Sequence, residues 1–182
     1  MGDVYDAIDD KLRRFIEAQQ VFFVATAPRD GHVNLSPKGL DSFRVLGPRE
    51  VAYIDYVGSG AETIAHLREN GRITIMLCSF EGPPKILRLH GRGEVFEPQD
   101  APFAELRGQF PDDPQARSII RVDVERIADS CGYGVPVMIF EAERTLLRQW
   151  AEKKGDKLEQ YQIEQNAASI DGLPALRWVE RT

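Results

Sequence analysis

Turn residues recur along this chain at intervals too short for most helices, and runs of β-branched and aromatic side chains lie between them. That spacing constrains the fold more than any other feature. Val21-Phe22-Phe23-Val24-Ala25-Thr26 is too short for a buried helix and reads as a central strand. Arg29-Asp30-Gly31 follows as a hairpin turn, because Asp-Gly accepts positive backbone angles. The chain returns over 32–37 with alternation, Val33 and Leu35 on one face and Asn34 and Ser36 on the other, and Pro37-Lys38-Gly39 ends it. Further strands are expected over 40–45, 51–55, 72–80, 85–96 and 117–127, parted by Gly-Pro and Pro-Pro turns. Short strands that follow one another in antiparallel fashion predict a mainly β fold of the α+β class: an antiparallel split β-barrel with peripheral helices.

Helical spacing occurs in four places. Tyr5, Ile8, Leu12, Phe15 and Ile16 predict an amphipathic helix over 3–19. A second opens at Ala61, buries Ile64 and Leu67, turns Glu62, His66 and Glu69 outward, and stops at Asn70-Gly71. A third spans 100–110, and a helical segment over 145–168 is broken at Gly155. The tail reads as a turn over 170–174 followed by a short polar end. With 182 residues the chain suits one domain over 1–182, or a subunit that completes itself with a second copy.

A net charge of -6 and the lack of any basic run argue against a nucleic-acid partner. No apolar stretch reaches the roughly 20 residues of a membrane span, and the start of the chain lacks a signal-peptide pattern, so a cytoplasmic protein with no membrane partner is expected. Cys78 and Cys131 lie far apart and His32, His66 and His90 stand singly, so neither a metal site nor a disulfide framework is expected.

Three stretches carry candidate chemistry. In the first, strand 51–55 runs through Tyr56 into Val57-Gly58-Ser59-Gly60, and Ser59 with Glu62 forms a capping-box pattern. Unpaired amides at such a helix start hold a phosphate without a dedicated side chain, which points to a phosphate-bearing cofactor; the alternative is a plain helix cap, since Glu62 adds negative charge there. Asn34, Ser36 and Lys38 either line a pocket or form an exposed sheet face. In the second, Arg88, His90 and Arg92 share one face of a strand, where they either neutralise an anion or form its wet side; Gly91 and Gly93 suggest a bulge or a close backbone approach. In the third, Ser130-Cys131-Gly132-Tyr133-Gly134-Val135-Pro136 is costly in chain entropy, which suits either backbone lying against a flat ligand or simple loop geometry. Cys131 has no sequence neighbour that would activate it as a nucleophile.

A strand ending Ser36-Pro37-Lys38-Gly39, a strand ending Tyr53-Ile54-Asp55-Tyr56, a helix ending Leu67-Arg68-Glu69-Asn70-Gly71 and a long glycine-containing strand together resemble the pyridoxamine 5'-phosphate oxidase-like family of FMN-binding split barrels. The resemblance covers 21–96, and the stretches 130–136 and 169–174 are similar to one branch of that superfamily. It implies a homodimer with FMN in clefts between subunits. Residues 33–38 would run along the flavin, Tyr56 and Val57 would touch it through their backbone, and the helix start would hold its phosphate. Asn34, Ser36, Lys38, Tyr56, Val57, Ser59, Gly60, Thr63, Arg88, Cys131 and Gly132 are thus the expected cofactor-binding residues, Cys131 and Gly132 from either subunit. The family's basic pair at the helix start is replaced by Glu62 and Thr63, so Lys38, Arg88, Arg92, amides or the Thr63 hydroxyl must meet the phosphate. The family's basic carboxy-terminal segment has no counterpart over 173–182, so a small substrate other than pyridoxamine phosphate is expected. The implied activity is hydride transfer through the flavin, with no residue assigned as general acid or base. A non-catalytic flavin or haem carrier and a deazaflavin-dependent reductase are the alternatives.

Overall fold

The structure is a computed structural model that describes residues 2–179. Its strands are β1 (Val4–Tyr5), β2 (Phe22–Thr26), β3 (Asn34–Lys38), β4 (Phe43–Gly47), β5 (Glu50–Tyr56), β6 (Arg72–Cys78), β7 (Ile86–Phe96) and β8 (Ala116–Ser130). The helices are α1 (Asp10–Glu17), α2 (Glu62–Asn70), α3 (Ala101–Arg107), α4 (Leu146–Lys154) and α5 (Lys157–Asn166). The sheet runs β3-β2-β6-β7-β8-β5-β4, with β1 added to β8, and every pairing is antiparallel. It is the split-barrel architecture that the strand pattern implied.

Alternation places the core. Phe22 and Val24 of β2, Ile73, Ile75 and Leu77 of β6, Leu87 and Leu89 of β7, and Ile120, Val122 and Val124 of β8 pack together on the inner face. Strand β5 is buried on both sides: Val51 and Tyr53 enter this core, while Ala52 and Ile54 lie under Leu106 and Phe110 of the α3 region. The β7–β8 ladder shifts register between His90 and Gly91. A Cβ at Gly91 would fall 2.0 Å from the Asp123 carbonyl oxygen, so the expected close approach is between strands.

The amino-terminal helix is shorter than its apolar spacing suggests. Val4 and Tyr5 pair with Ala128 and Ile127 instead, and α1 begins after Asp9, whose Oδ1 accepts from the Leu12 amide at 2.7 Å. That cap fixes the start, and Leu12 and Ile16 still face the core.

The tail also departs from expectation. Ala175 and Leu176 are buried against Ala61, Ile64 and Ala65 of the α2 region, so the tail seals a second face of that helix. Residues 180–182 of the expected polar end lie outside the described residues. His66 is fully buried rather than exposed, its ring bonded to Thr26 of β2. Gly71, at φ 70°, closes α2 as the Asn70-Gly71 pair implied. Gly155 separates α4 from α5, which meet through an edge-to-face contact of Trp150 with Tyr161 at 4.9 Å. Among the described residues, no helix is long and apolar enough to cross a membrane.

Candidate functional site

The turn between β5 and α2 forms one wall of a cleft of about 540 Å³. Gly58, Ser59 and Gly60 line it, with Glu62 and Thr63 from the first turn of α2. Asn34, Ser36, Pro37 and Lys38 of β3 face them, Tyr56 and Arg117 contribute from β5 and β8, and Ile170 closes one end. Seven of the residues singled out from sequence therefore meet in one place: Asn34, Ser36, Lys38, Tyr56, Ser59, Gly60 and Thr63.

The helix start is not capped by a side chain. Ala61 occupies the cap position without a capping hydrogen bond, so the Ser59–Glu62 capping box does not form. The carboxylate of Glu62 folds over Gly60 and accepts from the Ile170 amide at 3.4 Å, drawn toward the tail. Asn166 reaches back in the same direction and donates to the Gly58 carbonyl at 3.0 Å. The turn is thus shaped by the end of the chain, and its own side chains leave the first-turn amides uncovered.

Polar groups on the β3 wall are joined in a row. Ser36 Oγ donates to Asn34 Oδ1 at 3.2 Å, and Asn34 Nδ2 donates to Thr63 Oγ1 at 3.1 Å and to Thr26 Oγ1 at 3.5 Å. Thr26 in turn shares a 3.0 Å hydrogen bond with His66 Nδ1. His66 Nε2 has no hydrogen-bond partner among the described residues, and burial pushes the imidazole pKa down against the opposing pull of Glu62, Asp171 and Glu69. Asn34 is oriented on both sides, its amide turned to α2 and its oxygen to Ser36.

Deeper in the cleft, Lys38 Nζ meets Asp55 Oδ1 at 2.7 Å and Arg117 Nε meets Asp55 Oδ2 at 2.7 Å. Asp55 is completely buried. Burial alone would raise its carboxyl pKa, but Arg117 and then Lys38, by charge and by hydrogen bond, bring it down to about 2. Arg117 was not singled out from sequence. Its signal lay in Asp55, an acid at the end of an otherwise apolar buried strand, which requires a cation from a neighbouring strand.

The remaining expected residues sit elsewhere in the single chain. Val57 is buried and its amide donates to the Gln115 carbonyl at 3.0 Å, so it does not line the cleft. Arg88 donates to Ser130 Oγ at 2.9 Å outside it. Cys131 is exposed beside a separate cleft that includes Lys85 and Asp129. At Gly132 a Cβ would come 2.8 Å from the Lys85 amide nitrogen, so the chain itself supplies the close neighbour that this glycine accommodates.

Fold and cleft together define an antiparallel split barrel with a polar groove at its rim. The family model for pyridoxamine 5'-phosphate oxidase matches residues 8–131. The chain belongs to that family. It is 42% identical to the pyridoxamine 5'-phosphate oxidase family protein ustO of Aspergillus flavus, over 94% of this chain and 77% of that protein. Among solved structures it is similar to HupZ of Group A Streptococcus, at TM-score 0.52 and 23% identity over 66% of this chain and 91% of that one. An FMN-binding protein of Syntrophomonas wolfei aligns at TM-score 0.50 and 14% identity, over 71% of this chain and 85% of that one.

Proposed function

We propose that this chain binds FMN in the cleft between β3 and the start of α2, in a groove completed by a second copy, and acts there as an oxidoreductase on a small substrate. The carrying observation is a helix start without a side-chain cap, at a turn over 58–60 that shares one cleft with two cations, Lys38 and Arg117. Arg117 Nη1 is buried and has no partner among the described residues, which is the condition an anionic ligand would relieve. Family membership and the FMN-binding name of a structural relative support the same cofactor.

When bound, the flavin supplies hydride transfer. The chain's own part is placement: Asn34 and Ser36 present a fixed row of polar atoms along β3, and Lys38 and Arg117 supply positive charge. Support for a second copy comes from apolar side chains that the single chain leaves in solvent. Val33 just before β3 and Leu35 on it are exposed, as are Val137 and Ile139, each more than four-fifths accessible, in the segment after β8. A partner covering these faces would also decide whether Cys131 and Gly132 approach the flavin of the other subunit.

The test is a visible spectrum and an FMN titration of the purified chain, with its mass in solution measured alongside. Stoichiometric FMN uptake by a dimer, with turnover of a reduced nicotinamide, is expected. A colourless monomer that takes up no FMN would overturn the proposal, and a tightly held haem band would redirect it to a carrier.

A further inference from the structure

His66 lies behind the cleft wall rather than on it, yet Thr26 joins its ring to Asn34, which does line the cleft. The imidazole leaves Nε2 buried with no hydrogen-bond partner among the described residues, a cost that an apolar side chain at this place on α2 would avoid. What the ring contributes is its other nitrogen.

Direction along the row is set by its donors. The Asn34 amide nitrogen donates to the hydroxyls of Thr26, at 3.5 Å, and of Thr63, at 3.1 Å, while the amide oxygen accepts from Ser36. Having accepted from Asn34, the Thr26 hydroxyl has its own proton free for His66 Nδ1 at 3.0 Å. Nδ1 is then the acceptor, and the proton of the neutral ring lies on Nε2. A second proton would make Nδ1 a donor too and turn the Thr26 hydroxyl proton back toward Asn34, where amide hydrogens already point. Asn34 then loses one of the two acceptors that hold its nitrogen.

Burial is the largest influence on the ring and disfavours its cation. Glu62 and Glu69 on α2, Asp171, which also holds His32, and, least, the Thr26 backbone favour it. From β2 the uncharged Thr26 side chain meets the ring.

We infer that His66 is a positioning residue that acts through Thr26 to hold the Asn34 carboxamide oxygen toward Ser36 on the cleft wall, so that β3 offers a fixed acceptor to an N–H or O–H group of the ligand while the ring is neutral. The identity of that ligand rests on the flavin reading above; the polarity of the wall, and its dependence on a residue outside the cleft, go beyond it.

The experiment measures FMN affinity, by quenching of flavin fluorescence, from pH 8 to 5 in the wild-type chain and in Thr26→Val, which cuts the row and keeps the shape of the side chain. The quantity read is the ratio of the two dissociation constants, in which titration of the FMN phosphate and of groups common to both proteins cancels. A ratio of about fivefold in favour of wild type is expected at pH 8, shrinking toward one as pH falls below the ordinary histidine value of 6.5. A hydroxyl with a structural role alone would give a ratio that does not change with pH. In the unmodified chain, nitrogen-15 spectra of the imidazole should show His66 protonated at Nε2 at pH 8, an arm that does not depend on how the variant folds. A pH-independent ratio, or a His66 ring protonated at Nδ1, would overturn the positioning role and leave the flavin site standing. A wild type that takes up no FMN at any pH overturns both.

Discussion

Arg117 on β8 and Asp55 on β5 meet across neighbouring strands, Nε to Oδ2 at 2.7 Å, where neither side chain is appreciably exposed. With Lys38 on the other carboxylate oxygen, this pair links the rim of the site to the interior of the barrel.

Acid stability should report the pair directly. The carboxyl of Asp55 has a folded pKa of about 2 against an ordinary 3.8, so the folded state favours its charged form. The sign follows: that contribution, about 2 kcal/mol, is fully present above the ordinary value and is lost as pH falls from about 4 toward 2. Asp55→Asn should remove this acid limb and cost about 3–5 kcal/mol at neutral pH, because two cations lose their counter-charge. Urea midpoints measured from pH 7 down to 2 in both proteins check it; an unchanged acid limb in the variant would contradict the assignment.

His66 should act in the opposite sense to an exposed histidine. Burial holds its folded pKa below the unfolded value of 6.5, so the fold favours neutral imidazole. Stability is then complete above pH 6.5 and declines as pH drops through that value toward the folded pKa. His66→Gln should flatten the thermal midpoint between pH 8 and 5, at some cost in stability from the lost bond to Thr26. A midpoint that falls equally in both proteins over that range would count against it.

Glu62 stands where an incoming phosphate would meet like charge. Replacing it with Gln keeps its size and an acceptor for the Ile170 amide while removing the charge. FMN affinity should rise several-fold, and the gain should shrink as salt is added. Titrations at low and high ionic strength decide this, and weaker binding in Glu62→Gln would show that the carboxylate is needed.

Gly91 admits no side chain. Its Cβ would fall 2.0 Å from the Asp123 carbonyl oxygen, a backbone atom held in the longest ladder of the sheet. Gly91→Ala should cost about 3 kcal/mol or more, seen as a lower urea midpoint or loss of soluble protein. A stability within about half a kcal/mol of wild type would mean the bulge relaxes freely.

Much of the barrel was legible because its signals are local. The alternation of β3 and β7, the turn at Asp30-Gly31 and the stop at Asn70-Gly71 each follow from a few adjacent residues. What escaped was decided at long range. Ser59 and Glu62 have the spacing of a capping box, but Glu62 is recruited by Ile170, more than a hundred positions later. His66 sits on the polar side of α2 by periodicity, but it is buried and bonded to Thr26 of β2, 40 positions earlier. Arg117 looks like one more charge on an alternating strand until the register opposes its neighbour Ser118 to Asp55. The close approach of Gly132 to Lys85 likewise joins residues far apart in sequence, and so could not be read from the stretch around Cys131.

The segment that packs on α2 gives the cleft its own local stability. Asn166 fastens Gly58, Ile170 fastens Glu62, Asp171 holds His32 by its backbone amide and by its ring at 2.7 Å, and Ala175 and Leu176 wedge the helix. Each clasp ties a residue beyond position 165 to the cleft or to the elements that build it, and none ties one to the β7–β8 ladder, so peeling that segment away would loosen the groove before it loosened the barrel.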